Sequence, residues 1–130
     1  MVYSNKHIDL NVVDALYKKG YEYHINEEWI EAAKYYQEAA SFGHTEAMEA
    51  LGEFYINGLG VKLNHEKGLM LLERAAEQGN ADACYALGEY YFIGYDAESN
   101  APLAKSWWKK ATDRGHVRAT KTYNYYFGRI

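Results

Sequence analysis

The sequence predicts an all-α protein of about seven antiparallel helices arranged as stacked pairs, and three observations carry that prediction. Gly43, Gly79 and Gly115 stand 36 residues apart, and each is followed four residues later by an alanine: Ala47, Ala83 and Ala119. The same offset links Leu51-Gly52 to Leu87-Gly88, Tyr55 to Tyr91, Gly58 to Gly94, and Tyr35-Tyr36 to Leu71-Leu72 and Trp107-Trp108. Within each period, apolar or small residues recur three and four apart, as in Ala32, Tyr35, Tyr36, Ala39 and Ala40, which is helical spacing. A helix pair of this size cannot bury its apolar face alone, so the fixed period marks units that stack on their neighbours into one core.

The elements follow in order. Helices are expected over about 8–24 and 27–42, the second ending before Gly43, where a left-handed residue closes a helix cheaply. The third, about 44–58, starts at His44 and carries Met48, Leu51 and Tyr55; the fourth, about 64–78, starts at Asn64, whose side chain can accept a first-turn amide, and ends before Gly79. The fifth, about 80–94, starts at Asn80. The sixth, about 100–114, starts at Asn100 with Pro102 in its first turn, where amides have no intrahelical acceptor, and the seventh, about 116–129, starts at His116. Gly52 and Gly88 fall inside helices at a cost of about 1 kcal/mol each relative to alanine, which is reasonable where a neighbouring helix passes close by. Tyr36, Tyr55, Tyr91 and Trp108 occupy repeat positions and are expected in the core. The chain then divides as one repeat domain, 1–130: an N-terminal pair (1–42), repeats at 43–78 and 79–114, and a truncated repeat helix (115–130).

Composition agrees with a globular domain: 130 residues, 48% hydrophobic and 25% charged, with one proline. The single cysteine, Cys84, excludes an internal disulfide framework and four-thiolate metal sites. No signal-peptide core and no run of eighteen apolar residues occurs, so a cytoplasmic protein is expected. The net charge of −4 hides a segregation: residues 1–100 carry 7 Lys/Arg against 17 Asp/Glu, whereas residues 101–130 carry 7 against 1. An acidic body disfavours nucleic acid and anionic membrane and favours a basic partner.

The pattern Ala47-x3-Leu51-Gly52-x2-Tyr55-x2-Gly58-x-Gly60-Val61, followed by Ala75-Ala76-x2-Gly79, resembles the Sel-one-like repeat, a relative of the tetratricopeptide repeat. Ala104-x2-Trp107-Trp108-x2-Ala111-x3-Gly115 is similar to that family's helix with paired aromatics, and the resemblance covers about residues 28–127. The first pair departs from it, with 19 residues from Gly20 to Ala39 against 23 from Gly52 to Ala75, and is more tetratricopeptide-like; the second long loop departs too, with Asp96 and Ala97 where the first has Gly60 and Val61. The resemblance implies an α-solenoid whose concave face is lined mainly by the first helix of each pair, and a role as an adaptor.

Motifs for chemistry are weak. Gly58-Leu59-Gly60 does not follow a strand, lacks the third glycine and a GK[ST] ending, and reads as a turn between helices. His7, His24, His44, His65 and His116 show no metal-ligand spacing, and His44 and His116 suit helix starts better; neither metal nor cofactor is expected. Cys84 aligns with Met48 and Thr120, a packing position, so a buried inert thiol is expected. No nucleophile elbow or Ser-xx-Lys pair is present, and no carboxylate pair stands out as acid and base, which leaves a small hydrolase as a distant third reading.

The register from Gly20, Gly52 and Gly88 places Tyr17, Tyr21 and His24, then Glu46, Glu49, Glu53 and Asn57, then Asp82, Tyr85, Glu89 and Phe92 on the concave face, and Arg118, Lys121 and Tyr125 beyond them. Five carboxylates with interleaved aromatics have the composition of a binding surface, the alternative being a solvated acidic face with incidental tyrosines. The expected function is therefore non-enzymatic binding of another protein with a basic surface or segment, with no nucleic acid and no membrane. Two roles fit: an adaptor, or an immunity protein that neutralises a basic bacterial toxin. On the last helix, Tyr123, Tyr126, Phe127 and Ile130 recur at helical spacing and are not expected all to face the preceding pair. A homodimer or a partner contact is expected there, with Arg118, Lys121 and Arg129 beside it.

Overall fold

The computed structural model describes residues 9–95 and 98–129, and among them are seven helices and no strand. These are α1 (Leu10–Ile25), α2 (Trp29–Ser41), α3 (Thr45–Asn57), α4 (His65–Glu77), α5 (Ala81–Ile93), α6 (Ala101–Asp113) and α7 (Val117–Phe127). The ends are set by the residues the repeat marks. Asn64, Asn80 and Asn100 accept the amides of Lys67, Ala83 and Leu103 at 3.0, 2.8 and 3.1 Å, which satisfies first-turn donors that have no helical partner. Gly43, Gly79 and Gly115 follow α2, α4 and α6 with φ of 83°, 92° and 82°, the left-handed conformation expected of them. Pro102 sits in the first turn of α6.

α1 pairs with α2, α3 with α4 and α5 with α6; each second helix also packs on the next first helix, with α7 on α6. The close approach inside each pair is at a glycine. A Cβ at Gly20 would stand 2.7 Å from Tyr36 Cδ1, one at Gly52 2.9 Å from Leu72 Cγ, and one at Gly88 would overlap the Trp108 indole. The large fully buried side chains Trp108, Tyr36 and Leu72 therefore fill the space that each glycine leaves. Two buried clusters form the core, one around Tyr36, Leu51 and Phe54 and one around Leu72, Leu87 and Trp108, and Ala40 and Leu71 pack against both. The core is continuous along the stack, as nearest-neighbour packing of repeats requires.

One expectation needs correction. Tyr55 and Tyr91 are only half-buried; the buried aromatics are their predecessors Phe54 and Tyr90, one step around the helix. The carbonyls of Tyr55 and Tyr91 accept the amides of Asn64 and Asn100 at 2.9 and 2.8 Å, so these positions anchor the loop into the next helix. On α7, Tyr123, Tyr126 and Phe127 all touch the preceding pair. Tyr126 lies 4.5 Å from the Phe92 ring and 6.0 Å from that of Trp108, and Tyr123 and Phe127 pack on the core beneath the Lys105 ammonium. Val117 and Tyr125 are the more exposed apolar side chains of α7. His7, Asp96, Ala97 and Ile130 lie outside the described residues.

Candidate functional site

The three- and four-residue spacing of Glu46, Glu49, Glu53 and Asn57 puts them on one stripe of α3, and Tyr17, Tyr21 and His24 form the matching stripe of α1. Between the two helices lies a cavity of about 240 Å³ whose walls include Tyr17, Tyr21, His24, Tyr36, Glu49 and Glu53. A second cavity of about 110 Å³ lies between α3 and α5 and is bounded by Glu53, Asn57, Glu89, Tyr90 and Tyr95. Glu53 and Asn57 border both, so the two recesses adjoin along α3.

The electrostatics of this face follow from carboxyls crowded where water is scarce. Burial first, then a hydrogen bond to Glu53, then the charges of Glu53, Asp82 and Glu46 push the Glu49 carboxyl up to about 10. At neutral pH Glu49 is protonated and donates to Glu53. Burial also raises Glu89, against the opposing pull of Arg118. Burial lowers His24, with Glu53 opposing, and its Nδ1 lies 2.9 Å from the Tyr36 hydroxyl. Burial and nearby acidic groups hold the Tyr17 and Tyr36 phenols above their ordinary value. None of the ion pairs among the described residues involves Glu49, Glu53 or Glu89.

The remaining candidate residues divide. Asp82 is exposed and accepts from His116 Nε2 at 2.7 Å, and Glu46 lies 3.5 Å from His44 Nδ1. Tyr85 is buried at 9% exposure, less available than its position on the stripe suggests, because His116 stacks on its ring at 5.0 Å and the Arg118 guanidinium lies over it at 5.3 Å. Phe92 turns into the aromatic core beside Trp108 and Tyr126. Lys121 and Tyr125 are exposed on α7. Cys84 is buried; burial pushes its thiol up, and Arg114 Nη1, 3.0 Å from the sulfur, pulls the other way. Among the described residues no group of three His, Cys, Asp or Glu could hold a metal ion, and no helix is long and apolar enough to cross a membrane.

Sequence reasoning missed a device that joins neighbouring first helices. His44 caps α3 through Nδ1, which accepts the Ala47 amide at 3.2 Å, and its Nε2 donates to Asp14 of α1 at 3.1 Å. His116 repeats this with the Ala119 amide at 3.0 Å and Asp82 of α5. In both, the imidazole stacks on the tyrosine one turn after the aspartate, Tyr17 at 4.7 Å and Tyr85 at 5.0 Å. The recurring Asp-x2-Tyr in α1 and α5 was the available signal. Also missed was an open recess of about 800 Å³ walled by Glu27, Trp29, Ile30 and Val61, where the α3–α4 loop meets the α1–α2 turn.

Fold and site together define a helical-repeat solenoid with two adjoining recesses between its first helices. A family model described as the Sel1 repeat matches residues 30–44, 45–80 and 81–116, and the chain belongs to that family, whose members are generally protein–protein interaction modules. Among solved structures, a protective antigen of uropathogenic Escherichia coli with an SLR fold is 23% identical over 87% of this chain and 25% of its own, with a TM-score of 0.76. A Sel1 repeat protein from Oxalobacter formigenes is 32% identical over 85% of this chain and 46% of its own, with a TM-score of 0.70. Helicobacter pylori cysteine rich protein B is 25% identical over 71% of this chain and 69% of its own, with a TM-score of 0.62. The chain thus spans less than half the length of the first two. No curated protein matches the sequence.

Proposed function

We propose that this protein is a non-enzymatic adaptor that binds a basic surface or segment of another protein along the face of α1, α3, α5 and α7. The observation that carries this reading is the pair of adjoining recesses that share Glu53, walled by tyrosines and lined by Glu49, Glu53 and Glu89, which have no ion-pair partner among the described residues. Tyrosine supplies rigid amphipathic contact area, and a concentration of acidic side chains attracts and orients a cationic partner. The family supports a protein ligand. The same face also supports the immunity role, because an acidic body suits a cationic toxin; loss of the partner's catalytic activity in the complex distinguishes it from an adaptor's partner. Both roles take place in the cytoplasm in this reading.

The test uses a fluorescein-labelled hexalysine peptide and fluorescence anisotropy. Binding should weaken about tenfold or more when Glu46, Glu49, Glu53 and Glu89 are jointly replaced by Gln. It should weaken much less when the exposed Glu22, Glu66, Glu73 and Glu77, which line neither recess, are replaced. Equal losses in the two variants would reduce the attraction to net charge and remove the groove from the account.

A further inference from the structure

We infer that the recess between α1 and α3 seats one arginine side chain of the partner, its guanidinium held between the rings of Tyr17 and Tyr21 and the carboxyls of Glu49 and Glu53. This rests on the face of the first helices being the binding surface and adds the chemistry of its anchor. Size sets the class of occupant: about 240 Å³ lies below the roughly 300–1,000 Å³ of sites that hold drug-sized ligands, and suits a single long side chain. Shape narrows it. The Tyr17 and Tyr21 rings are 6.4 Å apart with planes 28° from parallel, and Tyr17 lies 5.6 Å from Tyr36 at 30°, so near-parallel ring faces line the recess. Such faces, beside two carboxyls one turn apart, match a planar cation with a fork of donors better than a compact ammonium.

The molecule contains its own version of this contact two repeats away. There Tyr85 takes the place of Tyr17, each stacked on the capping histidine of the next first helix. The Arg118 guanidinium covers the Tyr85 ring at 5.3 Å and partly offsets the upward push of burial on Glu89. Arg118 stands two residues after His116; the residue two after His44 is Glu46, a carboxylate where the other site has its arginine. Among the described residues, a guanidinium thus covers the Tyr85 ring and no Lys or Arg lies over the Tyr17 ring. A guanidinium from outside completes the N-terminal site in the same way.

Proton linkage supplies a signature. Glu49 faces Glu46 and Glu53 on its own helix, Tyr17, Tyr21 and His24 on α1, Tyr36 on α2, His44 at the α3 cap and Asp82 on α5. A cation arriving among these groups favours the ionised carboxyl, so the Glu49 proton leaves and affinity rises with pH. The experiment titrates N-acetyl-arginine amide and N-acetyl-lysine amide into the protein at constant ionic strength, following the tyrosine ring resonances by NMR. The arginine compound should move Tyr17 and Tyr21 and bind about fivefold more tightly than the lysine compound. Its affinity should increase severalfold from pH 6 to pH 8. Tyr21→Ala, at a half-exposed site, and Glu53→Gln should each weaken it about fivefold to tenfold with the amide spectrum otherwise unchanged, and Glu49→Gln should flatten the pH dependence. Unmoved Tyr17 and Tyr21 resonances, or equal affinity for the two compounds, would overturn the inference. If hexalysine still binds the groove in that case, the proposed function stands without this anchor; if hexalysine also fails to bind, both fall.

Discussion

The imidazole of His116 ties two repeats together through Asp82: Nε2 donates to the Asp82 carboxylate at 2.7 Å while Nδ1 accepts the Ala119 amide at 3.0 Å. The backbone amide can only donate, so Nδ1 carries no proton and Nε2 does. One ring therefore caps α7 and reaches back to α5, and His44 does the same between α3 and Asp14 of α1.

The first prediction separates those two duties. Asn80 caps α5 with its side chain at the equivalent position, so His116→Asn should keep the cap and lose the tie, whereas His116→Ala loses both. Urea unfolding should find the alanine variant about 1 kcal/mol less stable than the asparagine variant. Equal stabilities would mean that the cap contributes nothing.

Close packing at Gly88 and positive φ at Gly79 give the second. Gly88→Ala drives a methyl into the Trp108 indole, an overpacking expected to cost about 1–3 kcal/mol. At Gly79 a Cβ meets nothing within 4 Å, and the cost of alanine comes only from φ of 92°, about 1 kcal/mol. In a Trp108→Ala background the Gly88 change should become neutral or stabilising, since the helix propensity of alanine is then unopposed. A Gly88 penalty that survives removal of the indole would locate the clash elsewhere.

The third concerns pH. The Glu49 carboxyl goes from an ordinary value of 4.5 to about 10 on folding, so above pH 4.5 the folded protein holds a proton that the unfolded chain releases. Stability from this group is fully present below pH 4.5, declines as pH rises through that window, and has levelled off above about 10. Glu49→Gln keeps the shape without the ionisable proton. Thermal unfolding should show the variant gaining on the native protein from pH 5 to pH 9. A constant difference across that range would mean that Glu49 ionises normally.

Much of this was legible in the chain. The 36-residue spacing of Gly43, Gly79 and Gly115, with Asn64 and Asn100, fixed the helix ends because caps act through their own backbone neighbours. Gly52 and Gly88 announced close helix approach for the same local reason. The stripe of Tyr17, Tyr21, Glu49 and Glu53 was legible from helical spacing, and the structure brings those four into one recess. Depth was not legible. Tyr85 is covered by His116 and Arg118 from the next first helix, and Glu49 holds its proton chiefly because packing removes water from it. Tyr55 and Tyr91 looked like core because they recur, but recurrence at those positions serves the loops that start α4 and α6.

Mapping the labelled hexalysine peptide by amide NMR shows whether the face of the first helices is the binding surface. Perturbed amides should cluster on α1, α3 and α5, centred on Tyr21, Glu49, Glu53 and Glu89, and fade as salt rises toward 0.5 M. Perturbations centred on α2, α4 and α6 would contradict that reading.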